Sequence, residues 1–138
     1  MKTINQLSIS ISECESMFNR AAEEAKKQEI GISFCVVDTS GVLKYFGRMD
    51  NAPLISIDIS RKKAITAVGF GMSTGEAWHN FIKDDPILND GVASITDFIL
   101  LGGGSPIVFE GNLIGAIGVS GGHYKQDEQC VKAALNEY

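Results

Sequence analysis

The stretch LLGGGSPIVFEGNLIGAIGVSGG, from Leu100 to Gly122, decides how the chain folds. Two apolar runs, Pro106 to Phe109 and Leu113 to Val119, flank a Glu110-Gly111-Asn112 turn. Short apolar runs about a Gly/Asn loop predict a β-hairpin. Gly102-Gly103-Gly104 and Gly121-Gly122 bracket the pair. Glycine inside a strand forfeits packing, so Gly115 and Gly118 mark a place where another backbone or a ligand comes close.

Outward from the hairpin, the remaining elements follow from period and punctuation. Ser10 with Glu13 forms a capping-box pattern. Ile11, Cys14, Phe18, Ala21 and Ala25 then recur at helical steps, predicting a helix from Ser10 to Gln28 with Gly31 as its stop. Ile32 to Val37 reads as a buried strand and Val42 to Met49 as its antiparallel partner, joined by the Asp38-Thr39-Ser40-Gly41 turn. Ile55 to Phe70 is helical, with Ile59, Lys63, Thr66 and Phe70 along one stripe. Ser73-Thr74-Gly75-Glu76 reads as a second capping box, opening a helix through Ile82 that Asp84-Asp85-Pro86 follows. Asn89 to Asp97 reads as an irregular connection, Phe98 to Leu101 as a third strand, and Gln126 to Tyr138 as a C-terminal helix. Strands meeting in hairpins with helices grouped between them predict an α+β fold with a five-stranded antiparallel sheet.

A length of 138 residues suits one domain, 1–138. The 44% apolar and 21% charged residues match a chain able to bury its own core. A net charge of −5 argues against nucleic acid and anionic membranes, both of which need a basic face. The opening MKTINQLSIS has no apolar core of the kind a secretory signal needs. No run approaches the roughly 18 apolar residues of a membrane span. Cys14, Cys35 and Cys130 are odd in number and unpaired by spacing, which predicts buried reduced thiols and a cytoplasmic location.

Most familiar motifs fail on context. The Gly102-Gly103-Gly104 run precedes no helix and no Lys-Ser/Thr pair, so it is not a phosphate cradle. Gly118-Val119-Ser120-Gly121-Gly122 has the spacing of a nucleophile elbow but sits at the end of a hairpin strand. With two histidines and no zinc-ligand spacing, a zinc site is not indicated. His79 stands beside Trp78 on a short helix, the position of an ordinary surface histidine. His123 follows the Gly-Gly break, where a loop histidine is free to act as a ligand or in proton transfer. The Arg61-Lys62-Lys63 cluster reads as a solvated face, or as one cation turned toward a ligand carboxylate.

Several stretches together resemble the GlcG/HbpS family of small haem-binding and glycolate- or propanediol-operon-associated proteins, whose domain also forms the C-terminal part of PduO-type proteins. They are Val36-Val37-Asp38 with Gly41, Arg48-Met49-Asp50 with Ala52-Pro53, and Lys63-Ala64 with Thr66-Ala67 and Phe70. Gly102-Gly103-Gly104 with Pro106-Ile107, Ile114 to Gly122, and Gln126-Asp127-Glu128 complete the pattern. The resemblance implies a profilin-like sheet, homo-oligomers and haem as cofactor. It places Arg48, Asp50, Lys63 and Phe70 beside a pocket, with Gly103 and Gly104 as its glycine wall. It also implies a histidine ligand on the first helix, and Ser10 to Gln28 has none. If haem binds, the iron would go to His123, His79, a tyrosine or a methionine, or stay weakly held at an oligomer interface; of these His123 is the leading expectation.

The leading expectation is a cytoplasmic homo-oligomeric binding protein for haem or a similar flat anionic molecule. Arg48 or Lys63 would pair with its carboxylates. An enzyme acting on a small carboxylated or hydroxylated substrate is the alternative, with His123, His79 or Asp127 moving protons. An accessory subunit for a neighbouring enzyme is the third.

Overall fold

A computed structural model describes residues 1–137. Helix α1 (Ile11–Lys27) starts where Ser10 Oγ accepts the Glu13 N–H at 3.2 Å, and buries Cys14, Met17, Ala21 and Ala25. Its stop is Glu29, in the left-handed region at φ 57°, with Ile30 N donating to Ala25 O at 3.0 Å. Gly31, expected as the stop, instead leaves room for Asn51.

Strands β1 (Ser33–Val37) and β2 (Leu43–Arg48) form the first hairpin. Asp38 Oδ1 accepts from Ser40 N and Val42 N at 2.8 and 3.0 Å, and Gly41 takes φ 77°, so the turn closes as its residues dictate. The second hairpin, β3 (Gly104–Phe109) and β4 (Asn112–Ser120), turns on Glu110 and Gly111, both at positive φ as a two-residue primed turn requires. The described residues form one antiparallel sheet of four strands, ordered β2-β1-β4-β3.

The expected fifth strand is absent. Phe98 to Leu101 is extended, but its backbone bonds elsewhere: Ile99 N donates to Thr66 Oγ1 and Leu100 O accepts from Gly75 N. Its apolar side chains Phe98 and Leu100 pack on Trp78 rather than on the sheet. The stretch expected to be irregular contains α4 (Pro86–Gly91), capped by Asp85, and a 3-10 turn at Val92–Ser94. The second capping box does not form either. Helix α3 (Glu76–Ile82) has no side-chain cap, because Thr74 Oγ1 accepts from Gly104 N and Ser73 Oγ pairs with Ser105 Oγ.

The sheet divides two apolar layers, and the period-2 alternation of β1 and β4 assigns each side chain to one of them. Phe34, Val36, Ile117 and Val119 face α1 and α5 (Tyr124–Ala134). Cys35, Val37 and Ala116 face α2 (Ser56–Phe70). The expected helix from Gln126 to Tyr138 starts two residues sooner and ends at Ala134; residue 138 lies outside the described residues. The α2 contact is made by small residues, Ser56, Ser60, Ala64 and Ala67. A side chain at Gly118 would collide with Ser60 O and stand 2.6 Å from Ala64 N, so this glycine admits a helix backbone.

All three cysteines are free and buried, as expected. Burial pushes the Cys35 and Cys130 thiols up to about 12, and raises Cys14 as well. Thiolate is the reactive form. An aromatic disulfide reagent near pH 8 is expected to label no thiol in the folded protein and all three in denaturant. Stoichiometric labelling of the folded form would contradict this packing.

Candidate functional site

Lys63, from α2, and Asp127, from α5, meet beside Gly103 at the end of β4, although their helices pack on opposite faces of the sheet. The Lys63 ammonium donates to Asp127 Oδ2 at 2.9 Å and to Val119 O at 2.8 Å. Asp127 Oδ1 accepts from Gly122 N at 3.0 Å. Both side chains are about as buried as any in the protein, at 1% and 2% exposure. Burial pushes Lys63 below and Asp127 above their ordinary values, while each opposite charge pulls the other back. The contacts suit the charged forms: the Lys63 amine donates to a carboxylate and a carbonyl, and the carboxylate accepts a backbone N–H. A side chain at Gly103, φ 115°, would meet Lys63 Nζ, Val119 O and Asp127 Cβ, and one at Gly104 would meet Thr74. The side-chain positions of both glycines are therefore filled by the protein's own residues, while the glycines themselves line a separate cavity of about 190 Å³ with Ser73, Thr74, Glu76 and Lys132.

The pair lines the floor of a cavity of about 170 Å³, together with Ile55, Ile59, Leu101, Ser120 and Tyr124. A larger cavity of about 380 Å³ adjoins it, sharing Leu101 and Tyr124. Its walls come from the start of α3 (Gly75, Glu76, His79), from Leu100 to Gly102, and from α5 (Tyr124, Lys125, Glu128). Glu128 leans over Gly75 and Gly102, either of which would strike it if given a side chain.

Of the residues picked out in the sequence, His79, Lys63 and Asp127 line this pair of cavities. His123 is exposed at the N-cap of α5. Its Nδ1 accepts from Lys125 N at 3.2 Å, Gln126 Oε1 accepts from its backbone N–H, and its ring lies 4.4 Å from that of Tyr124. Arg48 is exposed on edge strand β2, and Asp50 lines an open groove of about 800 Å³ along α1. Glu23, Glu29 and Asp50 face a single Lys26 in that groove, a poor setting for an anion. Phe70 packs edge-on against Trp78 and Phe98, with centroids 4.6 and 6.0 Å away. Tyr124, Leu101 and Glu128 were missed as wall residues. The local signal is that Leu101 precedes the first glycine run, Tyr124 follows His123 and Glu128 follows Asp127.

Among the described residues no three His, Cys, Asp or Glu side chains gather where they could hold a metal ion. No described helix is long and apolar enough to cross a membrane.

Comparison with known proteins points one way. A family described as HbpS-like, haem degrading protein HbpS-like, matches residues 9–136. A 15.0 kDa protein of the dhaT-dhaS intergenic region of Citrobacter freundii is 36% identical over 117 residues, covering 83% of this chain and 82% of that protein. The crystal structure of ORFY from Klebsiella pneumoniae superposes with a TM-score of 0.87 at 30% identity, over 99% of this chain and 94% of that one. The crystal structure of a PduOC:heme complex also superposes at 0.87, with 26% identity and 94% of each chain covered.

Proposed function

This chain belongs to the HbpS-like family, and we propose that it is a homo-oligomeric binding protein for haem or a similar flat anionic cofactor. One observation carries the reading: a cavity of about 380 Å³, within the size range of small-ligand pockets, that combines a histidine with apolar walls. The donor set fits the group. His79 supplies an imidazole for iron, Leu100 and Leu101 an apolar face, and Lys125 a cation for one propionate. The carboxylates of Glu76 and Glu128 in the same cavity require the ligand's acid groups to turn toward Lys125 and solvent. Bound haem supplies redox and ligand-binding chemistry at iron; the protein holds it and limits access of water. Lys63 is committed to Asp127 and shapes the floor without meeting the ligand's acid groups. Assembly is supported by the exposed apolar side chains of both edge strands, Leu43 and Phe46 on β2, Val108 and Phe109 on β3. The three reduced thiols support a cytoplasmic location.

Haemin titration followed at the Soret band tests the reading in the unaltered protein, His79→Ala and His123→Ala. The expected result is saturable binding, weakened about tenfold or more in His79→Ala, or about 1.4 kcal/mol. His123→Ala should bind nearly as the unaltered protein does, since His123 stands outside the cavity wall. Loss confined to His123→Ala would move the iron to that residue. No saturable shift in the unaltered protein would end the haem reading.

A further inference from the structure

The segment from Glu76 to Leu100 carries α3, α4 and the 3-10 turn, and is built unlike the rest of the molecule. Its apolar residues form a small cluster of their own, Trp78, Ile82 and Val92, apart from the two layers packed on the sheet. Glycines at positive φ bound it: Gly71 (65°) and Gly75 (90°) before it, Gly103 (115°) after it. At the neck Gly75 N donates to Leu100 O, and Gly75 and Gly102 press against each other beneath Glu128.

Beyond the edge-on contact with Phe70, the segment is tied to α2 by polar groups that converge on one residue. Asp97 Oδ1 accepts from Arg61 Nη2 at 3.0 Å, and Asp97 O accepts from Thr66 Oγ1 at 3.1 Å. Thr66 Oγ1 in turn accepts from Ile99 N at 3.0 Å. Asp97 itself sits at φ 63°, a left-handed conformation that Asp and Asn adopt more readily than other non-glycine residues. The segment also carries the one buried side-chain polar atom without a partner among the described residues, Trp78 Nε1. An unpaired buried donor penalises the closed arrangement and is relieved once water reaches it.

We infer that residues 76–100 form a hinged cover over the His79 cavity, latched to α2 through Asp97. The inference rests on the proposed ligand site, because the cover supplies Glu76, His79 and Leu100 to the cavity while α5 supplies the fixed wall. Opening at the glycine neck parts the two walls, lets a flat ligand enter edge-first and hydrates the Trp78 indole. Locally unfolding units of this kind exchange amide hydrogens well before the core does. Trp78 is the sole tryptophan of the chain, so its fluorescence reports the cover alone.

Hydrogen–deuterium exchange on the ligand-free protein tests the cover without reference to haem. Amides of 76–100 are expected to exchange faster than those of β1 and β4. Asp97→Asn keeps a residue that tolerates positive φ but weakens the ion pair. Thr66→Val removes both hydroxyl bonds. Each should speed exchange in 76–100 by roughly fivefold, the scale of one partly exposed ion pair or hydrogen bond, and leave the sheet unchanged. Haemin release to apomyoglobin should accelerate by a similar factor. Exchange of 76–100 as slow as that of β1 overturns the cover. Faster exchange in both variants with unchanged haemin release overturns its gating of the site. If the unaltered protein binds no haemin, the ligand reading fails, and exchange alone decides the cover.

Discussion

Asp127→Ala is expected to lower stability by about 3–5 kcal/mol, enough to unfold a marginal domain. The substitution leaves a lysine ammonium at 1% exposure with Val119 O as its remaining acceptor, and frees Gly122 N from its own. Removing both charges has a different outcome. Lys63→Met with Asp127→Leu trades the pair for apolar volume and should recover most of the loss, since a buried ion pair contributes little net stability over a packed apolar one. Urea midpoints at unchanged slope measure both effects. The pH dependence carries a sign as well. Without Asp127, desolvation of Lys63 is opposed only by the Glu128 carboxylate, so its folded pKa lies below the unfolded value near 10.4. Between those two values the unfolded chain holds the extra proton, and stability rises with pH. The deficit of Asp127→Ala is therefore full below the folded pKa and shrinks as pH approaches 10. A loss under about 1 kcal/mol, or a deficit that grows with pH, would mean that the pair is not ionised.

That pair marks the limit of what the sequence could show. Local patterns found α1, both hairpins, α2 and α5, because each rests on neighbours in the chain: the Ser10 cap, the Asp38–Gly41 turn, the alternation along β1 and β4. Lys63 was legible on the α2 stripe with Ile59 and Thr66 and as one of three clustered cations, but its partner lies 64 residues away on the opposite layer. No spacing encodes such a contact. His123 was legible as special, yet its imidazole caps α5 in the role that serine or aspartate fills more often. Phe98 to Leu101 looked like a strand because an apolar extended run is the same string whether it pairs with a sheet or lies across a helix. Thr66, Gly75 and Trp78, all distant in sequence, decide which.

Gly118→Val is expected to cost about 3 kcal/mol or more, although strand propensity alone predicts a gain. Valine is among the best strand formers and glycine among the poorest, a difference on the order of 1 kcal/mol in favour of the substitution. Sterics decide otherwise. The first side-chain carbon at this position would overlap Ser60 O and stand 2.6 Å from Ala64 N, both backbone atoms of α2. No rotamer change relieves a clash with backbone, so the helix must move off the sheet and take Ala64 and Ala67 out of contact with Cys35, Val37 and Ala116. The same motion drags Lys63 from Asp127, which adds to the loss. Gly69 is the control. It lies in the same helix, and a side-chain carbon there would find nothing within 4 Å, so Gly69→Ala should stabilise by about 0.5–1 kcal/mol through helix propensity. Opposite signs for the two glycines, read as shifts in urea midpoint, establish that the hairpin glycines serve the approach of α2. A neutral Gly118→Val would mean that α2 has room to retreat, and that the glycines of β4 are open to another neighbour.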